Sequence, residues 1–343
     1  MIELFNLSEA EQWDACVKSF AEWDVYYLSG YVKAFHIHGD GDPFLLYYED
    51  NGLRAIYVYM RRPTALPGVY DSVTPYGYGG VLFEGNISVE SCNVFWNAYV
   101  GKMTEEHIVD NFVRYHPVLR NSIPMKEVSN VIDLGHTIAM DLTSPDIIWE
   151  NIVSKNRNMI RKAEKNGISI EHGQGMELMD QFIDIYNATM RKDNAEEYYY
   201  FKRPFYESID KDLKDNYEMF YAMYEGRLIA MSIMIFANGR LNYHLSGSDI
   251  EYRNLAPSNL LLYKAALWGC EKGFKTFHMG GGVGSGEDGL YKFKAAFNKN
   301  SDYQFSIGKQ IFDQEKYNRL IKIRKESDPE FDESSHFFPL YRA

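Results

Sequence analysis

The pattern of apolar and polar positions repeats itself along the chain. Residues 43–50 (PFLLYYED) and 53–60 (LRAIYVYM) are strand-like runs flanking Asn51-Gly52, a strong hairpin signal. About 174 residues later, 217–224 (YEMFYAMY) and 227–236 (RLIAMSIMIF) flank Glu225-Gly226 in the same way. Each hairpin precedes a helix-like stretch, roughly 88–102 and 257–272, and then a short strand, 107–113 and 275–279. Pro257 in the first turn and Gly273 after Lys272 suit the two ends of the second helix. Between the halves, Ser144-Pro145-Asp146 offers a hydroxyl cap, a first-turn proline and an acid at the positive end. The helix starting there is predicted to run to Asn166-Gly167. This order predicts an α/β protein with mixed sheets, built as two similar units rather than by chance recurrence. The expected division is 1–140 and 141–307, with 308–343 packing back on the first unit.

Composition narrows the class. A length of 343 residues fits about two domains, and 45% apolar residues give each half enough to bury a core. No apolar run approaches the ~18 residues of a membrane span. The acidic start MIELFNLSEAEQWD is not read as a signal peptide. Cys16, Cys92 and Cys270 lie far apart without metal spacing and fit a reducing cytoplasm. A net charge of -12 argues against a general nucleic-acid coat and leaves room for one local basic patch.

Four stretches hold candidate chemistry. In 155–167, Arg157, Arg161 and Lys165 recur every four residues on one face, with Lys155 and Lys162 on an adjoining strip. Like charges so spaced repel, a cost that an anion would offset; a solvated helix end is the other reading. In 247–269, a strand, a turn with Arg253 and a helix form the layout that holds coenzyme A phosphates on helix N–H groups. Pro257 has no N–H to give and the usual glycines are absent, so this cradle suits acetyl-CoA poorly. In 278–297, six glycines over 280–289 let the backbone approach a ligand or swing as a flap, with Phe293 and Lys294 on a short helix behind it. A lysine ammonium there would steady an oxyanion or a phosphate; an exposed amphipathic helix is the plainer alternative. In the first half, TPYGYGGV (74–81) sets two tyrosines among glycines, and Arg114 and His116 follow a strand. No Ser-His-Asp, HExxH or CxxC pattern is present.

Together these stretches resemble the FemABX family and its acetyltransferase (GNAT)-like relatives. The likeness is carried by Tyr76-Gly77-Tyr78-Gly79-Gly80, Arg114-Tyr115-His116-Pro117, Asn156-Arg157 with Ile160-Arg161-Lys162-Ala163 and Gly167, Tyr243-His244-Leu245-Ser246-Gly247-Ser248, Ala256-Pro257 with Leu260-Leu261, Gly280-Gly281-Gly282, and Phe293-Lys294 with Phe297. The resemblance implies two tandem GNAT-like domains with a cleft between them. It implies an N-acyltransferase moving an acyl or aminoacyl group to an amine of a peptidoglycan or other cell-envelope precursor. The implied catalytic residues are Lys294, with His244 as base if one is used. The implied substrate contacts are Tyr76, Tyr78, Gly79, Arg114, His116, Arg157, Arg161, Tyr243, Ser246, Arg253, Asn259, Gly280, Gly281, Gly282 and Phe293. No cofactor or metal is expected to stay bound; the donor co-substrate is aminoacyl-tRNA or acyl-CoA. Expected partners are a small or lipid-linked envelope precursor and tRNA, with no DNA, in the cytoplasm, and peripheral membrane contact left open. The stretch 192–216 is too short for the coiled-coil arm of some tRNA-using relatives. An acyl-CoA-dependent N-acyltransferase of envelope polysaccharide synthesis and a non-catalytic binding module remain alternatives.

Overall fold

The computed structural model describes residues 1–343. The chain divides into two compact units, Met1–Leu134 with Gln304–Ala343, and Gly135–Tyr303. In chain order the first unit opens with β1 (Ile2–Phe5), α1 (Ala10–Lys18), α2 (Ser29–His38), β2 (Asp42–Asp50), β3 (Leu53–Pro63), β4 (Tyr70–Val73), β5 (Leu82–Gly85), α3 (Val89–Glu105) and β6 (Ile108–Arg114). Strand β7 (Val131–Asp141) leads into the second unit. There follow α4 (Pro145–Asn151), α5 (Ser154–Lys165), β8 (Ser169–Gly173), α6 (Met176–Lys192), α7 (Arg203–Asp212), β9 (Tyr217–Tyr224), β10 (Arg227–Ala237), β11 (Arg240–Ser248), α8 (Pro257–Glu271), β12 (Thr276–Gly280) and α9 (Gly289–Ala295). The chain closes with β13 (Tyr303–Ile311) and α10 (Gln314–Ser327).

Tight turns set the sheet register. Asn51 and Gly52 both adopt positive φ (48° and 79°), as do Glu225 and Gly226 (49° and 76°), the backbone that matches the twist of paired strands. In the first unit the order is β1-β2-β3-β4-β6-β13, with β5 also on β3. In the second it is β7-β12-β11-β10-β9-β8. Each unit contains one parallel pair, β4 with β6 and β11 with β12, joined by the crossover helices α3 and α8. The fold is thus mixed α/β with the same order of hairpin, strand, helix and strand in both units.

Helix α8 shows why the second core forms. Its buried face includes Leu260, Leu261, Leu262, Ala265 and Ala266, packed with Ile160 and Ala163 of α5 and Phe277 of β12. Each leucine so buried is worth about 1.5–3 kcal/mol. In the first unit Phe95, Tyr99 and Met103 of α3 pack on Leu46, Tyr57 and Tyr59.

One predicted element is corrected. The helix expected from Ser144 to Asn166 is two helices, because Ile152 and Val153 are extended (ψ 130° and 147°). Here the chain turns its hydrogen bonds outward: Val153 N–H donates to Ala296 O (3.1 Å), and Asn151 O accepts from Lys299 N–H (3.0 Å). A tertiary partner satisfies the backbone as well as another helical turn would.

Candidate active site

Parallel strands matter because ligands of α/β sheets bind beyond the carboxyl ends of such strands. In the second unit β11 and β12 pair at Arg240–Thr276, Leu241–Phe277 and Asn242–His278; β11 then continues to Ser248 outside that pairing. Just past it lies a bulge: Ile233 faces Leu245 and Met234 faces Tyr243, leaving His244 as the extra residue. A bulge re-aims the side chains around it. Tyr243 joins the apolar cluster under α8, and its hydroxyl reaches Ser246 and Ser232. Ser232 Oγ donates to Ser246 Oγ at 3.1 Å. Burial raises the Tyr243 phenol above its ordinary range. Burial pushes the His244 imidazole down to about 3, so at neutral pH it is uncharged and a weak base.

The glycine run begins where β12 ends. Gly280 has φ +77°, and a Cβ on Gly282 would collide with the carbonyl of Gly286 and with Asp288. Lys294 of α9 is 9% exposed, and its Nζ donates to Gly281 O at 2.7 Å. Burial lowers its ammonium to about 8, with the Asp288 carboxylate pulling the other way. Phe293 lies beside it and meets Phe297 edge-on at 5.5 Å. Lys294, Phe293 and Gly280 to Gly282 therefore share one corner at the carboxyl end of β12.

The other predicted residues of this unit form separate groups. Arg157 and Arg161 stand over the Trp149 indole, 5.9 and 5.0 Å from its centroid. Arg157 also donates to Trp149 O at 3.2 Å. Asn259 Nδ2 donates to Asn156 Oδ1 (2.7 Å), tying α8 to α5. Lys162 Nζ donates to Asn254 O at 2.6 Å, inside the turn that the sequence layout reserved for phosphates. Arg253 is exposed on that turn. Ala256, the residue before Pro257, takes a left-handed conformation (φ 61°).

In the first unit the predicted residues sit beyond the carboxyl ends of β4 and β6. Tyr76 stacks on Phe35 (5.3 Å), and Tyr78 meets both Tyr26 and His116 (each 5.8 Å). The Arg114 guanidinium lies 5.1 Å from the Phe112 ring. Two of these residues are turned inward. His116 has a fully buried side chain: Nε2 is 2.9 Å from Asp24 Oδ2, and Nδ1 accepts from Leu119 N–H (3.3 Å). Both ring nitrogens are engaged inside the protein. Gly79 is likewise internal: its N–H donates to Arg114 O, and its carbonyl accepts from His116 N–H and Asn121 Nδ2.

Sequence reasoning missed Asp24, Trp149, His278 and Asp288. His278 is 2% exposed, with Nε2 2.9 Å from Thr137 Oγ1. Asp288, between glycines and just before a helix, carried a readable N-cap signal. No group of His, Cys, Asp or Glu side chains has the geometry to hold a metal ion, and no helix is long and apolar enough to cross a membrane.

Residues 153–294, which hold α5 through Lys294, match the acetyltransferase (GNAT) domain family. The second unit therefore carries a GNAT-type domain, and the chain is an acyltransferase. In architecture it is similar to FemX, with TM-score 0.68 and 14% identity over 92% of this chain and 99% of that one. It is also similar to the C-terminal (DUF2156) domain of a protein assigned as a lysylphosphatidylglycerol synthetase from Agrobacterium fabrum (TM-score 0.59, 13% identity, 89% of this chain and 91% of that one). A conserved protein of unknown function from Bacteroides thetaiotaomicron shares the fold as well (TM-score 0.58, 9% identity, 90% and 99%). No curated protein matches the chain in sequence. At these identities the FemABX-like resemblance extends to the GNAT-type fold across nearly the whole chain.

Proposed function

We propose that this acyltransferase moves an acyl or aminoacyl group onto an amine of a peptidoglycan or other cell-envelope precursor, in the cytoplasm. The observation that carries the reading is Lys294: a buried ammonium held on Gly281 O where β12 ends in a glycine run. Charge of that kind, fixed before reaction, stabilises a developing oxyanion. The likeness in fold to FemX supports the substrate class.

The acceptor amine attacks the carbonyl carbon of the donor ester or thioester. A C–N bond forms, the carbonyl becomes a tetrahedral oxyanion beside Lys294, and the C–O or C–S bond then breaks. Holding both partners together supplies much of the rate. A histidine at about 3 is a poor proton acceptor. The amine therefore arrives uncharged, and its surplus proton leaves with the departing alkoxide or thiolate.

The turn before α8 supports an aminoacyl ester such as aminoacyl-tRNA over acyl-CoA. Pro257 offers no N–H, and Lys162 already occupies the Asn254 carbonyl. Transfer assays with aminoacyl-tRNA and acyl-CoA donors, on wild type, Lys294→Ala and Lys294→Arg, test the proposal. We expect transfer from the aminoacyl donor, lost in Lys294→Ala and partly kept in Lys294→Arg. Wild-type rates in Lys294→Ala would remove Lys294 from the chemistry. A rise in melting temperature with acyl-CoA alone would favour the acyl-CoA-dependent reading.

A further inference from the structure

The glycine run is braced rather than loose. Asp288 caps α9, its Oδ1 accepting from Tyr291 N–H at 2.8 Å. Its other oxygen, Oδ2, accepts from Val283 N–H at 3.2 Å, on the far side of the loop. A single carboxylate thus ties the first part of the loop to the start of the helix that carries Lys294. Lys294 makes the second tie, from Nζ to Gly281 O at 2.7 Å. Between these ties the backbone wraps so closely that a Cβ at Gly282 would meet Asp288 itself. Three residues, 281, 283 and 288, are therefore set relative to Lys294 by three hydrogen bonds.

We infer that Asp288 is a positioning residue for the transfer, bracing the glycine loop against α9 so that Lys294 and the loop backbone keep one geometry. The inference rests on Lys294 acting in the proposed reaction. Asp288 acts through Lys294 and the loop, not on the substrate. It has a second effect through charge: Asp288 is the charged group that raises the Lys294 ammonium against its burial, and Lys294 in turn helps hold the Asp288 carboxyl low. Because α9 is short, losing its cap frees the end of the loop directly.

Substitution separates the helix cap from the charge and the loop tie. Asp288→Asn keeps an oxygen for the Tyr291 N–H but sets an amide NH2 against the Val283 N–H, so it removes the charge and the loop tie and spares the cap; Asp288→Ala removes the cap as well. Two readouts need no substrate. Labelling of Lys294 by acetic anhydride across pH, followed by peptide mass spectrometry, reports its titration. Amide exchange over 281–291 reports the brace. We expect the Lys294 labelling curve of Asp288→Asn to move to lower pH, with faster exchange over 281–285 and exchange at the start of α9 near wild type. Asp288→Ala should in addition speed exchange at the start of α9 about tenfold, the effect of losing a helix cap. In transfer assays both variants should slow kcat more than they raise KM, and the limb of the pH–rate profile set by Lys294 should move to lower pH. Unchanged labelling and unchanged exchange in both variants would overturn the inference. If Lys294→Ala transfers at the wild-type rate, the functional reading fails and Asp288 falls with it. If Lys294→Ala is slow while both Asp288 variants match wild type, only the role of Asp288 is lost.

Discussion

The hydroxyl of Tyr341 lies 2.6 Å from Oδ2 of Asp110. The same hydroxyl is 3.0 Å from Oδ2 of Asp71, and both carboxylates are fully buried. A tyrosine has one proton to donate, so it satisfies one carboxylate as donor; the other contact needs a proton on the carboxyl itself. Asp71 also meets Arg62 and Arg342, whereas Oδ1 of Asp110 has no partner. Asp110 is therefore the one whose surroundings favour the protonated form. Burial drives its carboxyl up to about 7, with Asp71 adding to the rise and Tyr341, Arg62 and Arg342 opposing it.

The sign of the pH effect follows. Between the unfolded value near 4 and the folded value near 7, the native state holds a proton that the unfolded state has lost. Stability from Asp110 is thus greatest at the acid end of that window and falls as pH rises through it, by a few kcal/mol at most. Asp110→Asn mimics the protonated form and lacks this dependence. In urea unfolding, the midpoint of wild type should drop relative to Asp110→Asn on going from pH 5 to pH 8. A constant difference would show that Asp110 is not the proton carrier.

Lys294 makes the opposite case. Its ammonium is depressed from 10.5 to about 8, so it costs stability at neutral pH, and that cost disappears as pH rises from 8 towards 10.5. Lys294→Met should consequently keep or raise the melting temperature at pH 7 while transfer activity collapses. A site that lowers stability to hold a reactive charge gives this trade. Loss of stability together with activity would mean that Lys294 is a structural residue.

How far the sequence reveals this molecule depends on whether the signal is local. The hairpins at Asn51-Gly52 and Glu225-Gly226 were legible because both turns need positive φ, which the sequence advertises. Helices α3 and α8 and strands β6 and β12 followed from periodicity within short windows. The break at Ile152-Val153 was not legible, since its cause, Ala296 O, lies over 140 residues away. The same holds for His116: its partner Asp24 is 92 residues distant, and nothing near His116 shows it to be buried. Lys294 and Gly281 stand 13 apart, close enough for a glycine run and a lysine to be read as one feature.

The His116–Asp24 pair carries its own prediction. Because Leu119 N–H donates to Nδ1, the ring proton sits on Nε2 and is donated to Asp24. Removing the ring leaves a buried carboxylate short of a donor, so His116→Ala should cost about 3–5 kcal/mol in denaturant unfolding. Asp24→Asn keeps an oxygen for Nε2 but loses the acceptor for the Val25 N–H (2.7 Å), so it should cost less than His116→Ala without being neutral. Equal losses in the two variants would argue against this arrangement.

Gly247 tests the packing behind the bulged strand. A Cβ there would lie 2.8 Å from the backbone C and O of Ile185 and from Tyr186 N. Those atoms belong to α6, whose Thr189 also bonds to Ser248: Ser248 N–H donates to Thr189 Oγ1 at 3.0 Å. A flexible side chain could yield, but a helix backbone moves only as a unit. Gly247→Ala should therefore push α6 off β11 and cost about 1–3 kcal/mol, the usual range for overpacking. Gly239→Ala is the control, since its Cβ meets nothing within 4 Å and only its positive φ (76°) is strained. Amide exchange separates the two: α6 and β11 should lose protection together in Gly247→Ala, whereas in Gly239→Ala any loss should stay at the turn. If both variants behave alike, backbone strain rather than helix contact explains the glycine at 247.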